Sequence, residues 1–151
     1  MTVTLRDITA ENWRACARLK VADDQQGFVA SNAYSLAQSK YEPELIPLGI
    51  YDDETMVGFL MYRDEDFGLG KVWAVYRLMV AHEHQGKGYG RAGMELLINR
   101  LKAVPGYSAI LISFVPQNDA ARQLYASLGF EDTGEVDDGE IVYRLPLRGR
   151  T

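Results

Sequence analysis

The chain has 151 residues, of which 47% are hydrophobic, and this size and composition favour one globular domain over residues 1–151. Its formal net charge of -5 argues against binding nucleic acid or an anionic membrane through the overall field, and it favours cationic partners. Cys16 has no second cysteine to pair with. The N-terminal residues lack the apolar segment with a basic flank that is typical of a signal peptide, and no run approaches the roughly 20 apolar residues of a membrane helix. We therefore expect a protein of a reducing compartment, the cytoplasm.

The first half of the chain predicts a strand, helices and a hairpin. Apolar and polar residues alternate over residues 3–8 as in a half-buried strand, and residues 12–21 have helical spacing. One or two short helices with loops are expected over residues 23–44, a segment where specificity could reside. Residues 45–51 and 56–62 are strand-like runs separated by turn-forming residues, which predicts a hairpin, and a third strand follows at residues 72–80.

The second half alternates helices and strands. An amphipathic helix is predicted over residues 90–102, and an almost wholly apolar strand over residues 109–115 suits the centre of a sheet. A helix over residues 118–128 ends at Gly129, a residue that favours a left-handed cap. Asp137-Asp138-Gly139 then predicts a final hairpin between strands at residues 130–136 and 140–145.

A glycine-rich turn joins the strand of residues 72–80 to the helix that follows it. Gly86, Gly88 and Gly90 lack a Cβ, so their backbone NH groups can approach an anion at a helix N-terminus, and phosphate is the expected ligand. A P-loop needs Ser or Thr where Gly88 stands, and a dinucleotide-binding fingerprint needs Gly where Arg91 stands. Both patterns fail, and a turn that merely joins a strand to a helix is the alternative interpretation.

The pattern that remains is Gln85, Gly88 and Gly90, with two residues in the first gap and one in the second. In this pattern the chain resembles the GNAT superfamily of acyl-CoA-dependent N-acetyltransferases. The resemblance implies that the loop holds the pyrophosphate of acetyl-CoA and that the preceding strand pairs with its pantetheine arm. The cofactor-binding residues implied by position are Leu78, Met79, Val80, Gln85, Gly86, Lys87, Gly88, Tyr89, Gly90 and Arg91.

A second match to the family lies at NDAARQLYASLGF, residues 118–130. Asn118 and Tyr125 are seven residues apart, about two helical turns or roughly 10 Å along one face, so they can flank one extended ligand. By resemblance Asn118 contacts the pantetheine arm, and Tyr125 is the general acid that protonates the departing CoA thiolate. Taken alone, Tyr125 would be interpreted as an ordinary half-buried aromatic residue.

The predicted elements occur in family order over nearly the whole chain. The resemblance therefore implies an α+β fold in α/β/α layers, with a mixed, mostly antiparallel sheet of about seven strands and about four flanking helices. The sheet should splay between the strand before the glycine loop and the next strand. Homodimers are common in the family, although the oligomeric state cannot be read from the sequence. No metal is expected, because His82 and His84 alternate in a short loop that rarely completes a metal site.

Within the superfamily the chain looks most similar to bacterial spermine and spermidine acetyltransferases of the Blt type. The similar features include Gln26 before Phe28, the run PLGIYDDETMVGFLMY, Trp73 and Arg77. The resemblance implies transfer of an acetyl group from acetyl-CoA to a primary amine by direct attack in a ternary complex, with a polyamine as the amine. An amino acid, a peptide N-terminus or an antibiotic amine is the alternative acceptor, and a non-catalytic acyl-CoA-binding module is the second alternative.

Acidic residues suit a polycationic acceptor by attracting it. The candidates are Asp23, Asp24, Glu42, Glu44 and the cluster Asp64-Glu65-Asp66, which is otherwise expected to be a solvated turn after a strand. The attacking amine must lose a proton from an ammonium of pKa about 10.4. The base is left open, because Tyr76 stands where polyamine acetyltransferases tend to have a carboxylate, and a water relay to Glu83 or another carboxylate is one route.

Overall fold

One sheet runs through the described residues, 2–66, 68 and 70–147, of this computed structural model. Seven strands and four helices lie in this part of the chain, in agreement with the prediction. In chain order they are β1 (Val3–Asp7), α1 (Trp13–Arg18), α2 (Asn32–Tyr41), β2 (Ile46–Asp52), β3 (Thr55–Asp66), β4 (Lys71–Val80), α3 (Tyr89–Lys102), β5 (Tyr107–Phe114), α4 (Asp119–Ser127), β6 (Glu131–Asp137) and β7 (Glu140–Pro146). Two 3-10 turns lie at Asp23–Gln25 and His82–His84.

The strand order is β1-β2-β3-β4-β5-β7-β6, and every neighbouring pair is antiparallel except β4 and β5. The parallel pairing of β4 with β5 reaches Val75 opposite Ile112 and goes no further. Residues 76–80 of β4 therefore have no partner on β5, while on their other side they stay close to β3. The predicted splay of a mixed, mostly antiparallel sheet is confirmed.

The sheet is covered on both faces, which gives the predicted α/β/α layers. The apolar stripe of α3, including Met94 and Leu97, packs on one face with Leu60 and Ile110. Cys16 from α1 packs on the other face with residues of β3 and β4. Fully burying side chains of this size stabilises the fold by about 1.5–3 kcal/mol each, so these two cores fix the sheet that carries the cavity described below. None of the helices in the described residues is long and apolar enough to cross a membrane.

The first helix is shorter than predicted. The sequence pattern favours a helix over residues 12–21, whereas α1 ends at Arg18. Beyond it the backbone is extended, and the carbonyl of Lys20 accepts a hydrogen bond of 2.8 Å from the NH of His82. A tertiary backbone contact next to the glycine loop thus replaces the last helical turn.

β3 is longer than predicted, and this corrects the interpretation of the acidic cluster. The strand runs through Asp66, so Asp64 and Glu65 lie in a ladder with β4 and not in a solvated turn. Successive residues of a strand point to opposite faces, and the two carboxylates accept hydrogen bonds from different tyrosines. Asp64 Oδ2 accepts from Tyr107 at 3.1 Å, and Glu65 Oε1 accepts from Tyr76 at 2.6 Å.

Candidate functional site

A cavity of about 640 Å³ opens where β4 and β5 separate. It is bounded by β4 and the glycine loop, by β5 and α4, by residues between 21 and 30, and by the turn between β6 and β7. Of the predicted site residues, those that line it are Leu78, Met79, Val80, Gln85, Gly86, Gly88, Tyr89, Gly90, Arg91, Asn118 and Tyr125. Lys87 is exposed and lies outside this lining. The two sequence motifs are therefore brought together around one space.

The glycine loop presents a row of backbone donors. Gly86 and Gly88 have left-handed φ values of 77° and 87°, which a residue with a side chain rarely adopts. Among the described residues, no backbone carbonyl accepts a hydrogen bond from the NH groups of residues 86–91, and the helical pattern begins with Ala92 donating to Gly88. Unpaired NH groups at the N-terminus of the fourteen-residue helix α3 are suited to an anion such as a diphosphate.

The motif glutamine holds this loop in place. Gln85 Nε2 donates to the carbonyl of Val80 at 2.9 Å and to Oε1 of Gln25 at 2.8 Å. These contacts tie the loop to the end of β4 and to the 3-10 turn that borders the cavity. The side chain of Gln85 thus supports the site through protein contacts.

The open edge of β4 faces the same cavity. Leu78, Met79 and Val80 pair with β3 on one side, and on the other side they lie beyond the last pair with β5. Their backbone groups on that edge are placed to pair with an extended ligand, as another strand would. This edge leads from the glycine loop toward the point where the two strands separate.

Asn118 lines the cavity at the start of α4. Its Oδ1 accepts a hydrogen bond of 3.1 Å from the NH of Ala121, which makes Asn118 the cap of the helix. Since the cap uses the oxygen, the Nδ2 donors are left for a ligand. The structure thus gives Asn118 the role of a helix cap, and its binding role stays a prediction.

Tyr125 lines the cavity and is buried among aromatic rings. It is 5% exposed and packs against Phe114 and Phe130, with ring centroids 5.6 Å and 5.9 Å away. Its Oη makes no hydrogen bond among the described residues. The Oη is also not fully enclosed, since the one fully enclosed side-chain polar atom without a partner in this part of the chain is Trp73 Nε1. Burial, with a smaller contribution from the charge of Glu140, raises the pKa of the Tyr125 phenol, so the hydroxyl keeps its proton at neutral pH.

Tyr76 is the extra residue of a β-bulge. The register with β3 passes from Met61 opposite Arg77 to Tyr62 opposite Val75, which leaves Tyr76 unpaired. Bulges redirect side chains, and both Tyr76 and Arg77 line the cavity. Burial and the hydrogen bond to Glu65 raise the pKa of the Tyr76 phenol to about 12.

Arg77 connects the bulge to α2. Its Nη2 donates to Gln38 Oε1 at 3.0 Å and its Nε to Ser35 Oγ at 3.2 Å. Nη1 donates to the backbone carbonyl of Tyr76 at 3.0 Å. These three hydrogen bonds fix the backbone of the bulge against the helix.

The carboxylates of the cavity are ones that the sequence did not single out. Asp138 stands in the turn between β6 and β7 with a left-handed φ of 49°, and Glu140 begins β7 and accepts a hydrogen bond of 2.9 Å from Ser113 Oγ. In the sequence these two residues are marked only by the Asp-Gly turn. That turn does not predict that β7 pairs with β5, which is the pairing that brings them to the cavity. The acidic residues expected to attract an amine all lie outside the lining of the cavity; they are Asp23, Asp24, Glu42, Glu44, Asp64, Glu65 and Asp66. Glu83, the candidate for a water relay, lies outside it as well.

The histidines do not form a metal site in the described part of the chain. There, no three His, Cys, Asp or Glu side chains group closely enough to hold an ion. His84 lines the cavity beside Tyr89, with ring centroids 6.2 Å apart, whereas His82 is outside the lining.

Known proteins are similar to this chain in sequence and in fold. A protein from Bacillus subtilis (strain 168) named spermine/spermidine N(1)-acetyltransferase is 32% identical over 148 residues, which covers 94% of this chain and 97% of that protein. The structure of spermidine N-acetyltransferase from Vibrio cholerae in complex with CoA and spermine has a TM-score of 0.74 at 16% identity, covering 96% of this chain and 95% of that one.

A third similar protein is an aminoglycoside acetyltransferase in complex with coenzyme A, with a TM-score of 0.77 at 20% identity over 95% of this chain and 93% of that one. The family model described as Acetyltransferase (GNAT) family matches residues 5–130. This match spans both motifs and most of the chain, and the Bacillus subtilis protein is similar over nearly all of it. The chain belongs to the GNAT family of acetyltransferases.

Proposed function

We propose that this chain transfers the acetyl group of acetyl-CoA directly to a primary amine of a polyamine such as spermidine or spermine. The observation that carries the proposal is the cavity, which joins the unpaired NH groups of residues 86–91, the open edge of β4 and the protonated hydroxyl of Tyr125. The name of the Bacillus subtilis relative supports a polyamine as the acceptor.

The residues of the cavity fit acetyl-CoA. The NH groups of residues 86–91 would hold its pyrophosphate, and the backbone of residues 78–80 with Nδ2 of Asn118 would hold its pantetheine arm. When bound, acetyl-CoA supplies an activated thioester. Tyr125 holds the proton that the departing sulfur needs, because the phenol stays neutral where a thiol of pKa about 8.5 is poised to ionise.

Direct attack by the amine is supported by the position of Cys16. It is the one cysteine of the chain, it is fully buried between α1 and the sheet, and it does not line the cavity. Burial raises the pKa of its thiol to about 12, whereas a nucleophilic cysteine needs a lowered pKa. Cys16 is therefore unsuited to carry an acetyl group.

The carboxylates of the cavity suit a multiply charged amine. Asp138 and Glu140 are the acidic residues in the lining, within the described residues, and the chain carries a net charge of -5. A polyamine offers one amino group to the thioester and further ammonium groups to these carboxylates. A neutral acceptor would leave them without a cationic partner.

We expect spermidine or spermine to give the highest kcat/KM among amines, and we expect this value to fall as ionic strength rises. A polycation approaching a negative surface is steered by Coulomb attraction, and salt near 0.15 M reduces the screening length to about 8 Å. Steady-state rates at two salt concentrations with spermidine, a monoamine, an amino acid and a peptide measure both effects. A preference for the amino acid or the peptide contradicts the polyamine proposal. Absence of CoA release with every amine contradicts the proposal that the chain catalyses acetyl transfer.

The substitution Asp138→Asn provides a local version of this experiment. It should raise KM for spermidine several-fold and KM for a monoamine less, because only the longer substrate carries a second ammonium group. Asp137→Asn is the matched control, because this substitution removes the same charge from the chain. Asp137 is the exposed neighbour of Asp138 and does not line the cavity. Equal effects of the two substitutions would mean that Asp138 acts through the overall field.

A cytoplasmic location and assembly as a homodimer belong to the proposal as well. The location is supported by the single cysteine, because a chain with one cysteine forms no internal disulfide and needs no oxidising compartment. The homodimer follows from the family resemblance alone and stays a prediction.

A further inference from the structure

The acceptor must lose a proton before its nitrogen can attack. An alkylammonium has a pKa of about 10.4, so at neutral pH almost none of the amine is free, and a proton acceptor near the reaction centre is needed. Among the described residues that line the cavity, the side chains that can exchange a proton are Tyr76, His84, Tyr89, Tyr125, Asp138 and Glu140, and Tyr125 is already assigned as the acid. They differ in where they lie and in what they already contact.

Tyr76 lies at the apex of the cavity. It is the first residue of β4 after the last pair with β5, and the bulge leaves it without a backbone partner on β3. Its hydroxyl donates a hydrogen bond of 2.6 Å to Oε1 of Glu65, a half-buried carboxylate outside the cavity lining. One side chain thus connects the apex to a carboxylate behind it.

We propose that Glu65 receives the proton lost by the attacking amine and that the hydroxyl of Tyr76 carries it there. This inference rests on the proposed function. The ammonium gives a proton to Tyr76 Oη while the phenolic proton of Tyr76 passes to Glu65 Oε1, and Glu65 later releases it to solvent. The neutral nitrogen then forms the bond to the acetyl carbon, the carbon–sulfur bond breaks, and the sulfur takes the proton of Tyr125. The nitrogen's second proton restores Tyr125, so the reaction releases one proton overall.

Tyr76 by itself is a poor base. Burial and the hydrogen bond to Glu65 raise its pKa to about 12, and the charge of Glu42 raises it further while that of Arg63 lowers it. The guanidinium of Arg77 donates to the backbone carbonyl of Tyr76. The phenol therefore holds its proton at neutral pH and can take another only by passing its own to Glu65.

The other cavity residues have different surroundings. His84 lies beside Tyr89 at the glycine loop, the end of the cavity that suits phosphate. Glu140 already accepts a hydrogen bond from Ser113 and lies close enough to Tyr125 to help keep that phenol protonated. Asp138 is exposed in the turn between β6 and β7. The hydroxyl of Tyr89 also donates to a carboxylate, Oδ2 of Asp52, but Tyr89 lies with His84 at the glycine loop. Tyr76 is the residue that connects the point where β4 and β5 separate to a carboxylate that can take the proton.

The substitution Glu65→Gln tests the inference through its pH dependence. We expect kcat with the preferred amine to fall roughly 100-fold or more at pH 7, which is the usual contribution of a general base. The deficit should shrink as the pH is raised toward 9.5, because the free amine becomes abundant and no longer needs an acceptor. Tyr76→Phe should behave in the same way, and the double variant should be no slower than the slower single variant.

Asp64→Asn is the matched control. Asp64 is the neighbouring carboxylate of β3 and also accepts a hydrogen bond from a tyrosine, but that residue, Tyr107, does not line the cavity. Its kcat should stay within about twofold of wild type at every pH. Melting temperature and CoA affinity report whether each variant is folded.

Two results would overturn the inference: equal effects of Glu65→Gln and Asp64→Asn, or a Glu65→Gln deficit that is constant with pH in a folded protein. If Glu65→Gln does not fold, Tyr76→Phe decides by the same pH comparison. Failure of the proposed function looks different, since the wild-type enzyme would then bind CoA without acetylating any amine.

Discussion

We expect Tyr125→Phe to lower the turnover number by roughly 10- to 10,000-fold while leaving the affinity for acetyl-CoA almost unchanged. The substitution removes the hydroxyl alone, and the ring contacts with Phe114 and Phe130 persist. Because burial raises the pKa of the Tyr125 phenol, the wild-type residue carries its proton throughout the neutral pH range, whereas phenylalanine has none to donate. Single-turnover rates and a CoA titration measure the two quantities separately.

Tyr143→Phe is the matched control for this substitution. Tyr143 is also buried and packs against the same Phe114, with ring centroids 4.9 Å apart, yet it lies outside the cavity lining. Its loss of a hydroxyl should leave turnover within about twofold of wild type, since nothing in the cavity changes. If Tyr125→Phe keeps wild-type turnover from pH 6 to pH 9, Tyr125 is not the general acid.

The parts of the site that the sequence predicts are those encoded locally. The glycines at 86 and 88 require unusual backbone angles, and the structure gives them left-handed φ values at the start of α3. Asn118 caps the helix that carries Tyr125, so their spacing alone predicts that both border one space, and both line the cavity. The parallel pair β4 and β5 follows from the strand, helix, strand order around the loop, and the cavity forms where that pair ends.

The parts that the sequence does not predict depend on register. A one-residue shift in a strand exchanges its two faces, so neither the bulge at Tyr76 nor its contact with Glu65 can be derived from periodicity. In the sequence the acidic run at Asp64-Glu65-Asp66 looks like a solvated turn, because a run of charges after a strand-like apolar segment is usually exposed. In the structure the strand continues, and tyrosine hydroxyls from β4 and β5 provide the polar partners.

The second large effect is expected for Gly88→Val, which should weaken CoA binding by roughly 100-fold or more while the protein stays folded. A Cβ at position 88 would meet no protein atom within 4 Å, so the side chain would project into open space at the loop. That is where the unpaired NH groups of residues 86–91 face the cavity, and a branched side chain there would obstruct the approach of a pyrophosphate. Isothermal titration with CoA measures the loss.

Gly134→Val separates this obstruction from backbone strain. Gly134 has a φ of 79°, close to the 87° of Gly88, and a Cβ there would also meet no protein atom within 4 Å, but it lies in β6 away from the cavity. Both substitutions force a branched residue into the left-handed region, at a cost of about 1–2 kcal/mol in folding free energy. Similar melting temperatures with a loss of CoA binding in Gly88→Val alone would therefore assign the loss to the loop, and a folded Gly88→Val that binds CoA with native affinity would mean that the pyrophosphate lies elsewhere.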